Sequence, residues 1–300
     1  MTIRALTAAD LPQTHRLLSE AFPVLVVSEE AMRWRFDHGS PGADAATLVR
    51  VRDGRITGHV RSVLRDGVGN TLLLVSEEEG PGTDLLEASE RSLVERGAER
   101  LRVTAAEESV QRGGRALLDC LHGTEVVDSH RILGLDLGDL PGPPATPAGV
   151  EVRTWREFEP RALFEIDRAT NEDEPGESVV FPSFEDWHAE VWGNPLHDLD
   201  LSLVLLLDGR PVAITCYVSD RGTRMESAMT GTLRGFRGRG LAGYAKSVAL
   251  HRAREKGFTH AYTGNHENNA PMLAINARLG YRLVGTEHVF AREIREVRAQ

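Results

Sequence analysis

Arg234, Arg237 and Arg239 fall within six residues of a chain whose formal net charge is −10. Gly235, Gly238 and Gly240 are interleaved with them. Glycine lets a backbone turn tightly and approach a ligand closely. Beyond Gly240, the apolar residues Leu241, Ala245, Val248, Ala249 and Ala253 recur with the period of a helix face. The first N–H groups of such a helix have no intrahelical acceptor, and its positive dipole end points back at the turn. Basic side chains, open backbone donors and a helix N-terminus together make an anion site, most naturally for phosphate.

Other chemistry is less well supported by residue type and spacing. Cys120 and Cys216 are the only cysteines, far apart in sequence. They suit a reducing, cytoplasmic setting and suggest neither a disulfide framework nor a metal cluster. Cys216 has no histidine close to it in sequence, which argues against a thiol nucleophile. The histidines make no metal-ligand spacing, so no metal is expected. The acidic balance speaks against nucleic acid as a partner. No apolar run approaches a bilayer span, and no secretory signal is read at the start, so no membrane partner is expected. Lys246 and Lys256 are the only lysines. This bias is assigned to base composition, and no chemistry is drawn from it. The segment 238–243 also fits G-x-G-x-x-G, a dinucleotide signature. The next strand, however, ends Tyr262-Thr263-Gly264-Asn265, without the acidic residue that would hold a ribose.

The elements that position the turn read as a repeated order. Each half offers a first strand, a helix and a hairpin at Asp53-Gly54 or Asp208-Gly209. A strand, a glycine-led helix, another strand and a last helix then follow. Gly82, Gly97 and Gly123 precede Gly240, Gly257 and Gly280 by 158, 160 and 157 positions. The stretch 140–149, LPGPPATPAG, has linker composition. The division expected is therefore a first domain at 1–140, a linker at 141–149 and a second domain at 150–300.

The second half resembles the GNAT superfamily of acyl-CoA-dependent N-acetyltransferases over about 151–293. The resemblance is carried by Gly235-Phe236-Arg237-Gly238-Arg239-Gly240-Leu241-Ala242 between strand and helix, by Asn265 and Asn269, and by Leu279-Gly280-Tyr281. Gly235 departs from the family's Gln/Arg at the head of that motif. The resemblance implies an α/β (α+β) chain of two tandem GNAT-like domains, each a mixed, twisted, mostly antiparallel sheet flanked by helices. Two strands should splay to admit the pantetheine arm of acetyl-CoA. Gly231, Thr232 and Leu233 would pair with the arm, and Arg237, Gly238, Arg239, Gly240, Leu241 and Ala242 would hold its pyrophosphate. Asn265 and Asn269 would flank it.

It further implies direct transfer of an acetyl group to a primary amine of a small molecule. The family's tyrosine acid falls at Asn276 here, which cannot titrate. Tyr281 is the substitute donor, Glu226 the candidate base, and His266 with Glu267 a candidate relay. Glu172, Asp173, Glu174 and Glu177 would draw in a cationic amine. The first half carries Glu77, Glu78, Glu79 and Pro81 where phosphate would approach, so it is expected to be a degenerate, scaffolding domain that does not bind acyl-CoA. A non-catalytic acyl-CoA-binding protein remains one alternative, because of Asn276, and a dinucleotide-binding protein, on the segment 238–243, a more distant one.

Overall fold

The computed structural model describes residues 1–40, 42–75, 82–107, 121, 123–171 and 181–294. In chain order the first elements are β1 (Thr2–Ala5), α1 (Leu11–Ala21), α2 (Glu29–His38), β2 (Asp44–Arg52), β3 (Arg55–Arg65), β4 (Val68–Val75), α3 (Thr83–Glu95), β5 (Arg100–Ala106) and β6 (Glu125–Asp136). There follow β7 (Val150–Thr154), α4 (Pro160–Asn171), α5 (Phe184–Trp187), β8 (Leu203–Leu207), β9 (Arg210–Ser219) and β10 (Arg224–Thr232). The chain closes with α6 (Leu241–Glu255), β11 (His260–His266), α7 (Ala270–Arg278) and β12 (Arg282–Glu293).

Local chemistry sets these boundaries. Asp53-Gly54 and Asp208-Gly209 both have positive φ at each position. That is the type I′ geometry whose twist suits a tight hairpin. Thr7 with Asp10, and Thr154 with Glu157, form capping boxes at equivalent places in the two halves. The six glycines that mark the repeat all lie in the left-handed region, with φ of 75, 88 and 78° for Gly82, Gly97 and Gly123 and 78, 91 and 93° for Gly240, Gly257 and Gly280. The even spacing in sequence is thus a spacing of equivalent backbone turns.

The chain divides into two compact units, but not at the Pro/Gly-rich stretch. The first comprises 1–130 with the residues from 285 onward, and the second comprises 131–284. β6 therefore begins in the first unit and ends in the second, whereas β12 does the reverse. The linker-based division at 141–149 is corrected accordingly. Its composition misled because the segment before it carries core residues. Leu133, Leu135, Leu137 and Leu140 are buried with Leu250, Phe258 and Tyr281 in the second unit. Thr146 accepts a hydrogen bond from Tyr244 at 3.1 Å.

Strands of the first unit run in the order β1-β2-β3-β4-β5-β12, and those of the second β6-β11-β10-β9-β8-β7. The β2–β3–β4 and β7–β8–β9–β10 runs are antiparallel. β4–β5 and β10–β11 are parallel. These antiparallel runs do not fit the alternating parallel order of a dinucleotide fold. In the second unit one sheet face packs Ile214, Cys216 and Met229 against α4 and α5. The other packs Leu205, Ala213 and Tyr217 against α6.

Candidate active site

β10 and β11 pair only from Arg224↔His260 to Glu226↔Tyr262. β10 continues to Thr232 and β11 to His266. Beyond Glu226 the two strands part, and among the described residues the edge of β10 that β11 leaves has no strand beside it. At the fork, Thr263 Oγ1 still reaches Ser227 O at 3.3 Å. A register shift between Ser227 and Met229 marks a bulge on β10 at the same level. Strand parting and bulge together open a cleft of about 490 Å³.

The cleft leads from the fork to the glycine-rich turn. Gly231, Thr232, Arg237, Gly238, Gly240, Leu241, Ala242, Asn265 and Asn269 line it. Leu233 and Arg239 stand outside the lining. Leu233 N–H donates to Val212 O at 3.0 Å, so it is committed to β9. The Arg239 guanidinium lies 5.2 Å from the centre of the Phe236 ring. Arg237 Nε donates to Thr232 O at 2.9 Å, which ties that side chain to the end of β10.

Gly240 is the N-cap of α6, and no side chain caps the helix. Among the described residues nothing lies within 4 Å of where a Cβ would stand at Gly238 or Gly240. The turn is therefore open, among the described residues, on the side where those side chains would stand.

The equivalent place in the first unit is built differently. A Cβ on Gly82 would meet Val75 Cγ2 at 2.4 Å and Leu73 Cδ1 at 3.3 Å, so apolar side chains fill the ground in front of that helix. Asp84, in the first turn of α3, accepts from the buried Arg50 at 3.0 Å. An internal carboxylate already answers the helix dipole there. The residues Glu77, Glu78, Glu79 and Pro81 lie outside the described residues.

The proposed catalytic residues are not on the cleft lining. Glu226 lies on β10 directly before the fork. Its strand neighbours Met225 and Ser227 point to the α6 face, so Glu226 points to the opposite one. Tyr281 is 5% exposed and sits in the core with Leu279 and Leu250. Burial raises its phenol well above the ordinary range, and its hydroxyl has no partner among the described residues. Asn276 is buried and donates to Asn265 Oδ1 at 2.6 Å. The Asn269 side chain caps α7 by accepting from Met272 N–H at 3.3 Å. His266 Nδ1 accepts from Asn268 N–H at 3.0 Å, and Glu267 is exposed. Glu172, Asp173, Glu174 and Glu177 lie outside the described residues, but Asn171, directly before them, lines the cleft.

Sequence reasoning missed three features. The first is Lys246, which lines the cleft while only 1% exposed. Its ammonium donates to Ser227 Oγ at 3.0 Å, and burial pushes its pKa down to about 7. The available signal was a lysine placed among the apolar positions of α6 in a chain nearly devoid of lysine.

The second is His197, whose Nδ1 lies 3.3 Å from Cys216 Sγ although 19 residues separate them. The expectation that Cys216 has no histidine near it holds in sequence and fails in space. Burial nevertheless raises the Cys216 thiol far above its usual value, so it remains an inert thiol.

The third is Asp167 on α4, a buried carboxylate that accepts from Trp187 Nε1 at 2.7 Å and Asn171 Nδ2 at 2.8 Å. It holds the end of the helix that brings Thr170 and Asn171 to the cleft. Trp187→Phe removes one donor and is expected to cost about 1–3 kcal/mol, the usual penalty for a lost partner of a buried polar group. A denaturant melt of the variant checks this.

Known proteins share the fold of this chain. Residues 160–281 match the family model described as Acetyltransferase (GNAT) family. No curated protein sequence matches the chain. Among solved structures, a tandem GNAT protein from the clavulanic acid biosynthesis pathway is 21% identical with a TM-score of 0.74, over 97% of this chain and 98% of that one. A GCN5-related N-acetyltransferase from Sphaerobacter thermophilus is 20% identical with a TM-score of 0.73, over 98% of this chain and 96% of that one. At these identities the likeness is one of fold.

Proposed function

Taking residues 160–281 as a domain of the acetyltransferase (GNAT) family, within a chain of tandem GNAT fold, we propose that the second unit transfers an acetyl group from acetyl-CoA to a primary amine of a small molecule. The observation that carries this reading is the parting of β10 and β11 directly in front of an uncapped helix N-terminus. An extended pantetheine arm has the shape and the amide groups to take the vacated strand position, with its pyrophosphate at Gly238–Ala242. Acetyl-CoA supplies the activated acyl group. The protein supplies alignment and proton transfer.

Glu226, on the face opposite α6, takes the surplus proton of the attacking amine through water. The acidic run at 172–177 follows the cleft residue Asn171 and attracts a cationic amine by its charge. The filled ground at Gly82 and the Arg50–Asp84 pair support a first unit without an acyl-CoA site. The reaction belongs to a reducing cytoplasmic setting, which suits the free, buried Cys216.

The test is release of coenzyme A thiol from acetyl-CoA across a panel of small primary amines. Turnover with cationic amines is the expected result. Binding without turnover on any amine would favour the non-catalytic reading that Asn276 motivates. Acetyl-CoA at 100 times its Kd should add about 2.7 kcal/mol to stability, and NAD should add none.

A further inference from the structure

Lys246 is a buried charge that the roles assigned above leave unused. It stands six residues beyond the N-cap Gly240, which is about 9 Å along α6. Its ammonium is held by Ser227 Oγ at 3.0 Å, at the fork directly beyond the last paired level. Going back from Thr232 to Ser227 covers five residues, about 17 Å of strand. An arm that starts at the helix N-terminus and follows β10 thus brings its thiol end toward Ser227 and Lys246.

From β9 comes Tyr217, and from beyond α7 comes Tyr281, whose ring centre is 5.6 Å from Lys246 Nζ. The Tyr281 hydroxyl is buried without a partner among the described residues, and the buried Tyr217 phenol faces Ser227 and Thr215. From β10, Glu226 faces the opposite side. From α7, Arg278 lines the cleft, while Asn276 has no titrating group to offer. No described carboxylate pairs with Lys246. Ser227 Oγ lies 3.3 Å from Thr230 Oγ1, and Thr230 Oγ1 lies 2.8 Å from Thr215 Oγ1. Ser227 and Thr230 both line the cleft, so a short run of hydroxyls joins the lysine to it.

We propose that Lys246 is the proton donor to the departing coenzyme A sulfur, on the face of the sheet opposite Glu226. This rests on the acyl-CoA reading of the cleft. As the acceptor nitrogen bonds to the acyl carbon, the carbon–sulfur bond breaks and its electron pair stays on sulfur. Lys246 Nζ gives that sulfur a proton and becomes a neutral amine. The surplus proton of the acceptor nitrogen leaves by Glu226 and water. Lys246 regains a proton through Ser227 and Thr230. The products are an amide and a free thiol. The lowered pKa of Lys246 supports the role, because a weakly held proton passes readily to a thiolate.

The first measurement is the ultraviolet thiolate absorbance of bound coenzyme A against pH, with the desulfo-coenzyme complex as blank. In the wild-type complex the midpoint should lie at least one pH unit below that of the Lys246→Met complex, a tenfold larger thiolate fraction at a given pH. Equal midpoints with coenzyme A bound to both overturn the role of Lys246 and leave the cleft reading standing. Failure of wild type to bind coenzyme A overturns the cleft reading itself.

Replacing a lone buried ammonium by an apolar side chain of similar length removes a desolvation cost, so the variant should fold. It should also remove a rise of wild-type stability with pH. The folded pKa of Lys246 is about 7 and the ordinary value is 10.5, so between them the unfolded chain binds more protons and stability grows as pH rises.

If Lys246→Met does not fold, lysine-selective NMR of wild type decides, because the chain has only Lys246 and Lys256. The Lys246 midpoint should move upward with coenzyme A and stay in place with the desulfo compound. No movement with coenzyme A overturns the proposal.

Discussion

Arg237→Glu is expected to lower acetyl-CoA affinity about a hundredfold or more, from one site per chain in the wild type. A charged hydrogen bond is worth about 1.5–3 kcal/mol, and a carboxylate in its place adds repulsion at the same turn. Arg237 lies on the cleft beside Gly238, with its Nε fixed by Thr232 O at 2.9 Å, so its position relative to the α6 N-terminus is set by β10. Calorimetric titration reads both stoichiometry and affinity. A second site in wild type would mean that the first unit binds after all, despite Val75 and Leu73 in front of Gly82. An unchanged affinity in the variant would remove Arg237 from the site.

The second large effect is expected from one methyl group. A Cβ at Gly231 would stand 2.4 Å from Thr170 Cβ and 2.8 Å from its Oγ1. Thr170 Cβ is fixed to the backbone of α4, so no rotamer change relieves the overlap. The helix must move away from β10, where Thr170 and Gly231 both line the cleft. Gly231→Ala should therefore cost about 1–3 kcal/mol of stability, the usual penalty for overpacking, and weaken acetyl-CoA binding with it. Thr170→Gly in the same chain removes the obstructing atom and should restore binding, although glycine in the helix costs about 1 kcal/mol. The control is Gly243→Ala in α6, whose new Cβ would touch only Ile275 Cγ2 at an ordinary 3.6 Å. That change should raise stability by about 0.5–1 kcal/mol. Thermal melts of the three variants, each repeated with acetyl-CoA, separate the effects. Equal behaviour of Gly231→Ala and Gly243→Ala would sink the packing argument.

The exchange of strand ends bears on how the two units can be studied. A fragment beginning at 146 would lack residues 131–145, which belong to the second unit, and would carry the β12 residues that pair with β5. Leu133, Leu135, Leu137 and Leu140 would leave the core around Leu250 and Phe258. Loss of activity in such a fragment would therefore report missing core, not a scaffolding role of the first unit.

The sequence by itself determined the repeated order, the type I′ hairpins, the caps of α6 and α7 and the glycine-rich turn before α6. Each of these is fixed within a few residues, by glycine at positive φ, by Asp-Gly turns or by a side chain three positions from its own backbone donor. Neighbours in sequence are enough to specify them. What only tertiary structure decided depends on residues brought together from afar. The crossing of β6 and β12 between units follows from where Leu133–Leu140 and Phe290 find apolar partners. The Cys216–His197 contact, the Asp167–Trp187 bond and the place of Lys246 beneath the fork arise from three different elements closing on one another. A lysine in a helix reads as solvated from spacing alone. Only the strand laid over it, which removes water and leaves Ser227 as its hydrogen-bond acceptor, turns that lysine into a group with chemistry to offer.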